Sequence, residues 1–166
     1  MGACDFMNVG CGKSAQEVFS QLRDDAAYEH GHGGYTGTIA EKSSFTMLPT
    51  PNTRLDIRDL TECAISNEDT YTVWRKLKEG EADPGWWCRT KYNNDGTTTT
   101  FVPEKKKIPD SLKPWVERAA RAADDKWGPA ACVEITGKQA KEIKERCGMK
   151  GKRGIKVFVF FGLASS

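Results

Sequence analysis

Several things are scarce in this chain of 166 residues. It has two histidines, no Cys-x-x-Cys pair, and a formal net charge of only +2 from 25 Lys+Arg and 23 Asp+Glu. No apolar run approaches the roughly 20 residues that span a bilayer. The longest is VFVFF near the C-terminus. The opening MGACDFMNVGCGKS lacks a basic stretch followed by an apolar one, so no secretory signal is expected, and Phe6 stands where myristoylation prefers Ser or Thr. The expected setting is cytoplasmic, without membrane association. Six cysteines, at 4, 11, 63, 88, 132 and 147, fit none of the common zinc-finger spacings, and a chain of this length can bury a core without disulfides. Reduced structural thiols are expected, with no metal and no cofactor.

What is present argues for one folded α+β domain over residues 1–166. Five Trp, seven Phe and four Tyr exclude a disordered chain. Ser14 with Glu17 three residues later forms a capping box for an amphipathic helix over 15–29. YTGTIAEK and SFTML read as two strands, and 49–66 as mostly irregular with one strand near Leu55. Asn67 is expected to cap a helix through TYTVWRKLK, stopped by Gly80. ADPG reads as a turn, and strands near 86–92 and 97–102 around NNDG as a hairpin. PEKKKIPD reads as a basic loop, Asp110 or Ser111 as opening a helix that ends near Trp127, and AACVEI as a short buried strand. Thr136 opens another helix, and IKVFVFFG is the best candidate for a central strand. This order predicts a mostly antiparallel sheet with helices packed on one face and a C-terminal strand–helix–strand unit. That unit would be a parallel crossover if both strands share the sheet.

Both histidines lie in YEHGHGGYTGTIAEK. On an extended chain His30 and His32 would face one side, as would Thr36, Thr38, Ala40 and Lys42. A metal needs further ligands that no other histidine can supply. Gly33 and Gly34 allow close backbone approach, Tyr35, Thr36 and Thr38 add hydroxyls, and Lys42 adds a charge. This set suits a nucleotide-like or phosphate-bearing ligand. It also admits a small phosphodiesterase or transferase with His30 and His32 as acid and base, so whether the chain is an enzyme stays open. The bland alternative is that HGHGG is a helix cap and turn. VGCGKS ends like a P-loop, but Met7 stands where a glycine is required and no strong strand is read before it; Ser14 is a cap and Lys13 a surface charge. Trp86 and Trp87, adjacent on a strand, point to opposite faces, so one is expected in the core and the other either as an exposed stacking surface or, the favoured reading, in the core as well. Lys105, Lys106 and Lys107, with Lys152 and Arg153, leave nucleic-acid binding open. Residues 1–102 hold 10 Lys+Arg and 15 Asp+Glu, whereas 103–166 hold 15 and 8, so the basic excess lies in the last third.

HGHGGYTGTIAEK, taken with KWGPAAC at 126–132 and the closing FFGLASS, resembles a family of small, uncharacterised bacteriophage-encoded proteins. The resemblance implies action in an infected bacterial cytoplasm, as an accessory factor for host takeover or counter-defence. A third reading is therefore an inhibitor that contacts a host protein. The three blocks are expected to meet around a pocket walled by Trp127 and Phe161.

Overall fold

The computed structural model describes residues 2–82 and 85–166. Its organising element is β7 (Lys156–Ser165), whose alternate residues are apolar on both sides. A strand buried on both faces must lie inside a sheet with layers above and below. β1 (Ala3–Gly12) pairs antiparallel with β7 from Ala3↔Ser165 to Gly12↔Lys156. On the other side β6 (Ala130–Ile135) pairs antiparallel with β7, and β2 (Phe45–Leu48) lies parallel to β6, giving the order β1-β7-β6-β2. The α+β class and the central place of the last strand agree with the expectation.

The helices cover both faces rather than one. Val157, Val159 and Phe161 pack under α2 (Ile57–Ser66), α3 (Lys113–Ala123) and α4 (Gly137–Arg146). Phe158 and Phe160 meet Val18 and Phe19 of α1 (Ala15–His30) on the opposite face. β6 and β7 do share the sheet, but they run antiparallel, so their connection is no parallel crossover. α4 is about 15 Å long, and residues 147–155, with positive-φ glycines at 148, 151 and 154, fold the chain back to the end where β6 finishes.

α1 begins as its capping box dictates. Ser14 Oγ accepts from the Glu17 N–H at 3.2 Å, and the Glu17 carboxylate accepts from the Lys13 N–H at 3.0 Å. The segment before it is a strand, β1. Its Gly10 and Gly12 are explained by packing: a Cβ at either position would come within 2.6 Å of a Val18 methyl. They make room for α1 and form no phosphate loop.

The middle of the chain departs from expectation. Residues 57–66 form α2, capped by Asp56, which accepts from the Arg58 N–H and pairs with its guanidinium. Asn67, at φ 56°, ends α2 instead of opening a helix. TYTVWRK is strand β3 (Thr70–Lys76), because its β-branched and aromatic residues fit a sheet better than a helix. The hairpin is found as β4 (Arg89–Tyr92) and β5 (Thr98–Lys107), preceded by a 3-10 turn at Gly85–Trp87. β5 runs on through PEKKK, which is therefore strand and not loop. Beyond Phe101 it has only β3 as neighbour, so a residue without an N–H is tolerated at Pro103. The second sheet has the order β3-β5-β4. Asp83, Pro84 and the side chain of Trp86, on which the expected ADPG turn and part of the Trp86/Trp87 expectation fall, lie outside the described part. α3 stops at Ala123, leaving Trp127 in the following turn.

Candidate ligand-binding junction

The three blocks meet at one end of the main sheet's central strands, where β7 finishes and β6 begins. After α1 the chain turns at Gly31, φ 91°, and residues 35–42 form a compact loop closed by a 3-10 turn over Ile39–Glu41. No strand forms there. Small residues and threonines offered too little apolar surface, and their hydroxyls bond locally instead. Thr38 Oγ1 accepts from the Ala40 N–H at 3.3 Å and lies 2.8 Å from Thr36 Oγ1. The Glu41 carboxylate accepts from both the N–H and the hydroxyl of Thr36, each at 2.9 Å. The Thr36 N–H leads in holding the Glu41 carboxyl below its ordinary range, against an opposing effect of burial. Gly37, φ 69°, donates to the Ser165 carbonyl at 2.8 Å, which fixes the loop to the end of β7.

Lys42 fixes it to the turn before β6. It is 1% exposed, and its ammonium donates to the carbonyls of Asp125, Lys126 and Gly128 at 2.8, 3.1 and 3.1 Å. Burial pulls its pKa down, and Asp125 partly restores it. Asp125 in turn accepts from the Trp127 N–H at 2.9 Å. Trp127 is thereby set edge-on to Tyr35, with ring centroids 6.2 Å apart and planes at 87°. Both rings face solvent, Tyr35 being 54% and Trp127 60% exposed, and the Lys126 ammonium lies 5.3 Å from the Trp127 ring.

Two layers result. Thr36, Thr38 and Lys42 are engaged inside the protein and serve as the base of the junction. His30, His32, Gly33, Gly34, Tyr35 and Trp127 are exposed above it. A Cβ added at Gly33 or Gly34 would meet nothing within 4 Å. The two imidazoles do not share the face of a strand: His30 closes α1, and Gly31 turns the chain before His32. His30 Nε2 stands 3.8 Å from Glu29 Oε2 and borders a cleft of about 430 Å³ between α1 and β1 that also holds Asp5 and Asp25. That cleft is acidic, whereas the Lys126 ammonium lies on the Trp127 side of the junction. Phe161 is no wall of the junction; it is fully buried beneath the helices of the other face.

The sequence suggests a ligand-facing charge at Lys42, whereas its partners are backbone carbonyls from a distant segment, which sequence leaves unmarked. Glu41 and Asp125, the two organising carboxylates, act through local bonds, to Thr36 and to the Trp127 N–H, in irregular loops that no periodicity announces. Among the described residues no cluster of three or more His, Cys, Asp or Glu could hold a metal ion, and no helix is long and apolar enough to cross a membrane. Burial pushes the Cys11 thiol, beside Cys147, up to about 12, which disfavours it as a nucleophile. The basic runs separate: Lys105, Lys106 and Lys107 lie on β5, and exposed Lys152 and Arg153 lie in the loop between α4 and β7. Comparison with protein-family models, with curated proteins and with solved structures finds no match to this chain.

Proposed function

We propose that the chain is a binding protein for a nucleotide-like, phosphate-bearing ligand, taken at the junction of the His30–Tyr35 loop with the Trp127 turn. The carrying observation is Tyr35. A tyrosine at φ 59° is an uncommon, strained conformation, costing on the order of 1 kcal/mol or more, and it persists here with the ring exposed beside Trp127. Strain of this kind is retained where surrounding structure dictates it, and Lys42, Glu41 and the Gly37–Ser165 bond supply that structure. The aromatic pair offers an edge and a face to a base. Lys126 and the open backbone of Gly33 and Gly34 offer charge and N–H groups to a phosphate.

In this reading the protein is a phage accessory factor for host takeover or counter-defence that sequesters its ligand in the bacterial cytoplasm. The reading rests on the resemblance and the site chemistry together. A nucleotide thermal-shift panel followed by calorimetry tests it. A binding nucleotide should raise the melting temperature, and Trp127→Ala should weaken its affinity about tenfold while leaving the unliganded protein's stability within about 0.5 kcal/mol. No shift across the panel overturns the proposal. Conversion of the ligand, lost in His32→Ala, replaces it with the acid–base alternative.

A further inference from the structure

The pairing of β3, β5 and β4 sorts the charges of the second sheet by face. Residues directly opposite in an antiparallel pair point the same way. Thr72, Trp74 and Lys76 therefore share a face with Phe101, Pro103, Lys105 and Lys107, and Arg89 and Lys91 of β4 join them. Five cations occupy this face: Lys76, Arg89, Lys91, Lys105 and Lys107. The only carboxylate in the three strands, Glu104, lies on the other face, where it pairs with Arg75 at 3.5 Å.

The basic face is also aromatic. The Arg89 guanidinium lies 3.9 Å from the Trp74 ring centroid, reaching across β5. Phe101 is flanked by Lys76 on one neighbouring strand and Arg89 on the other. Trp87, in the turn leading into β4, is 48% exposed. At the far end Lys105 reaches Glu68 at 3.7 Å, where a cleft containing Asp5, Asp59 and Glu62 begins. Among the described residues the free charge is thus concentrated around Trp74 and Phe101, and the acidic cleft bounds it.

We propose that this face of the small sheet docks single-stranded nucleic acid, with phosphates on Lys76, Arg89 and Lys91 and bases against the Trp74–Arg89 stack and Phe101. Charge complementarity selects a polyanion. Aromatic rings and a flat guanidinium select one with exposed base faces, which a duplex hides. This site is separate from the aromatic junction above and stands whether or not a nucleotide binds there.

Fluorescence anisotropy with a labelled oligothymidylate of about 15 nucleotides tests the proposal on the full chain. The logarithm of the binding constant should fall against log salt with a slope of about −2, as expected for three phosphates neutralised on a single strand. Lys76→Glu with Lys91→Glu, both exposed, should weaken binding at least about tenfold and flatten that slope. Phe101→Ala should weaken it about fivefold with the slope unchanged. Lys152→Glu with Arg153→Glu should change nothing, since that loop belongs to neither strand nor face. Circular dichroism checks that each variant remains folded. Absence of binding at low salt, insensitivity to the Lys76/Lys91 pair, or equal competition by duplex DNA or polyglutamate overturns it.

Discussion

Lys42 shows how one residue can organise a site without touching a ligand. Its ammonium has three N–H donors, and three carbonyls of a single turn receive them. An uncompensated charge at that depth would be prohibitive, but one that meets its full set of acceptors ties two segments together with geometric specificity. Replacing it by Met keeps most of the apolar stem and removes the donors. The three carbonyls then lose their shared partner, so Lys42→Met should reduce unfolding free energy by about 3 kcal/mol. In a chain of this size that corresponds to roughly 10 °C in melting temperature. Urea unfolding measures it. A loss below about 0.5 kcal/mol would mean that water replaces the ammonium at little cost, and that Lys42 does not hold the Trp127 turn.

Among the elements, those with a local signature were legible. α1 carries its capping box in adjacent residues, β7 carries apolar side chains on both faces, and the β4–β5 turn carries Asn and Gly. β1 was hidden because Asp5, Asn8, Gly10 and Gly12 interrupt any alternation, and two of its glycines answer to Val18 on a helix not yet formed. α2 was hidden because its first turn is charged. That turn also makes a measurable demand. Burial, with Asp56 and then Glu62 nearby, raises the Asp59 carboxyl from 3.8 to about 6, and Arg58 offsets only part of this. The folded state therefore binds the proton more tightly than the unfolded chain. The resulting stabilisation is full below the unfolded pKa and is lost as pH rises through about 6. Asp59→Asn should accordingly stabilise the protein at pH 7 by about 1 kcal/mol, after allowance for solvent screening. The advantage should vanish below about pH 4. Parallel denaturation of both proteins across that range is the measurement, and a constant difference at all pH values would remove the carboxyl's raised affinity for its proton as the cause.

For the whole molecule, the sequence pointed to an acidic first part and a basic last third. The fold does not keep these apart, because β1 from the first is paired along its whole length with β7 from the last. Charge separates instead between the two faces of the small sheet, through a register that composition cannot reveal. The two sheets also differ in how they are held. β6 and β7 are buried almost throughout, between helices on both sides. The small sheet leans on the rest chiefly through Tyr71 and through Ile108 just past β5, packed near Leu60, Cys63 and Leu112, while all of β4 is exposed. Local opening free energy follows buried apolar contact. Amides of β4 should thus exchange with solvent deuterium first and those of β3 and β5 next. Those of β6 and β7 should exchange only through global unfolding, at protection about 5 kcal/mol or more above β4. Native-state exchange followed by NMR resolves the order. Added oligothymidylate should slow exchange at the Arg89–Tyr92 and Lys76 amides and leave β7 unchanged, since a ligand that docks on the closed small sheet opposes the opening that would release it. Protection in β4 equal to that in β7 would show that the two sheets open as one unit, and would remove the small sheet's independence from the account of how it receives a partner.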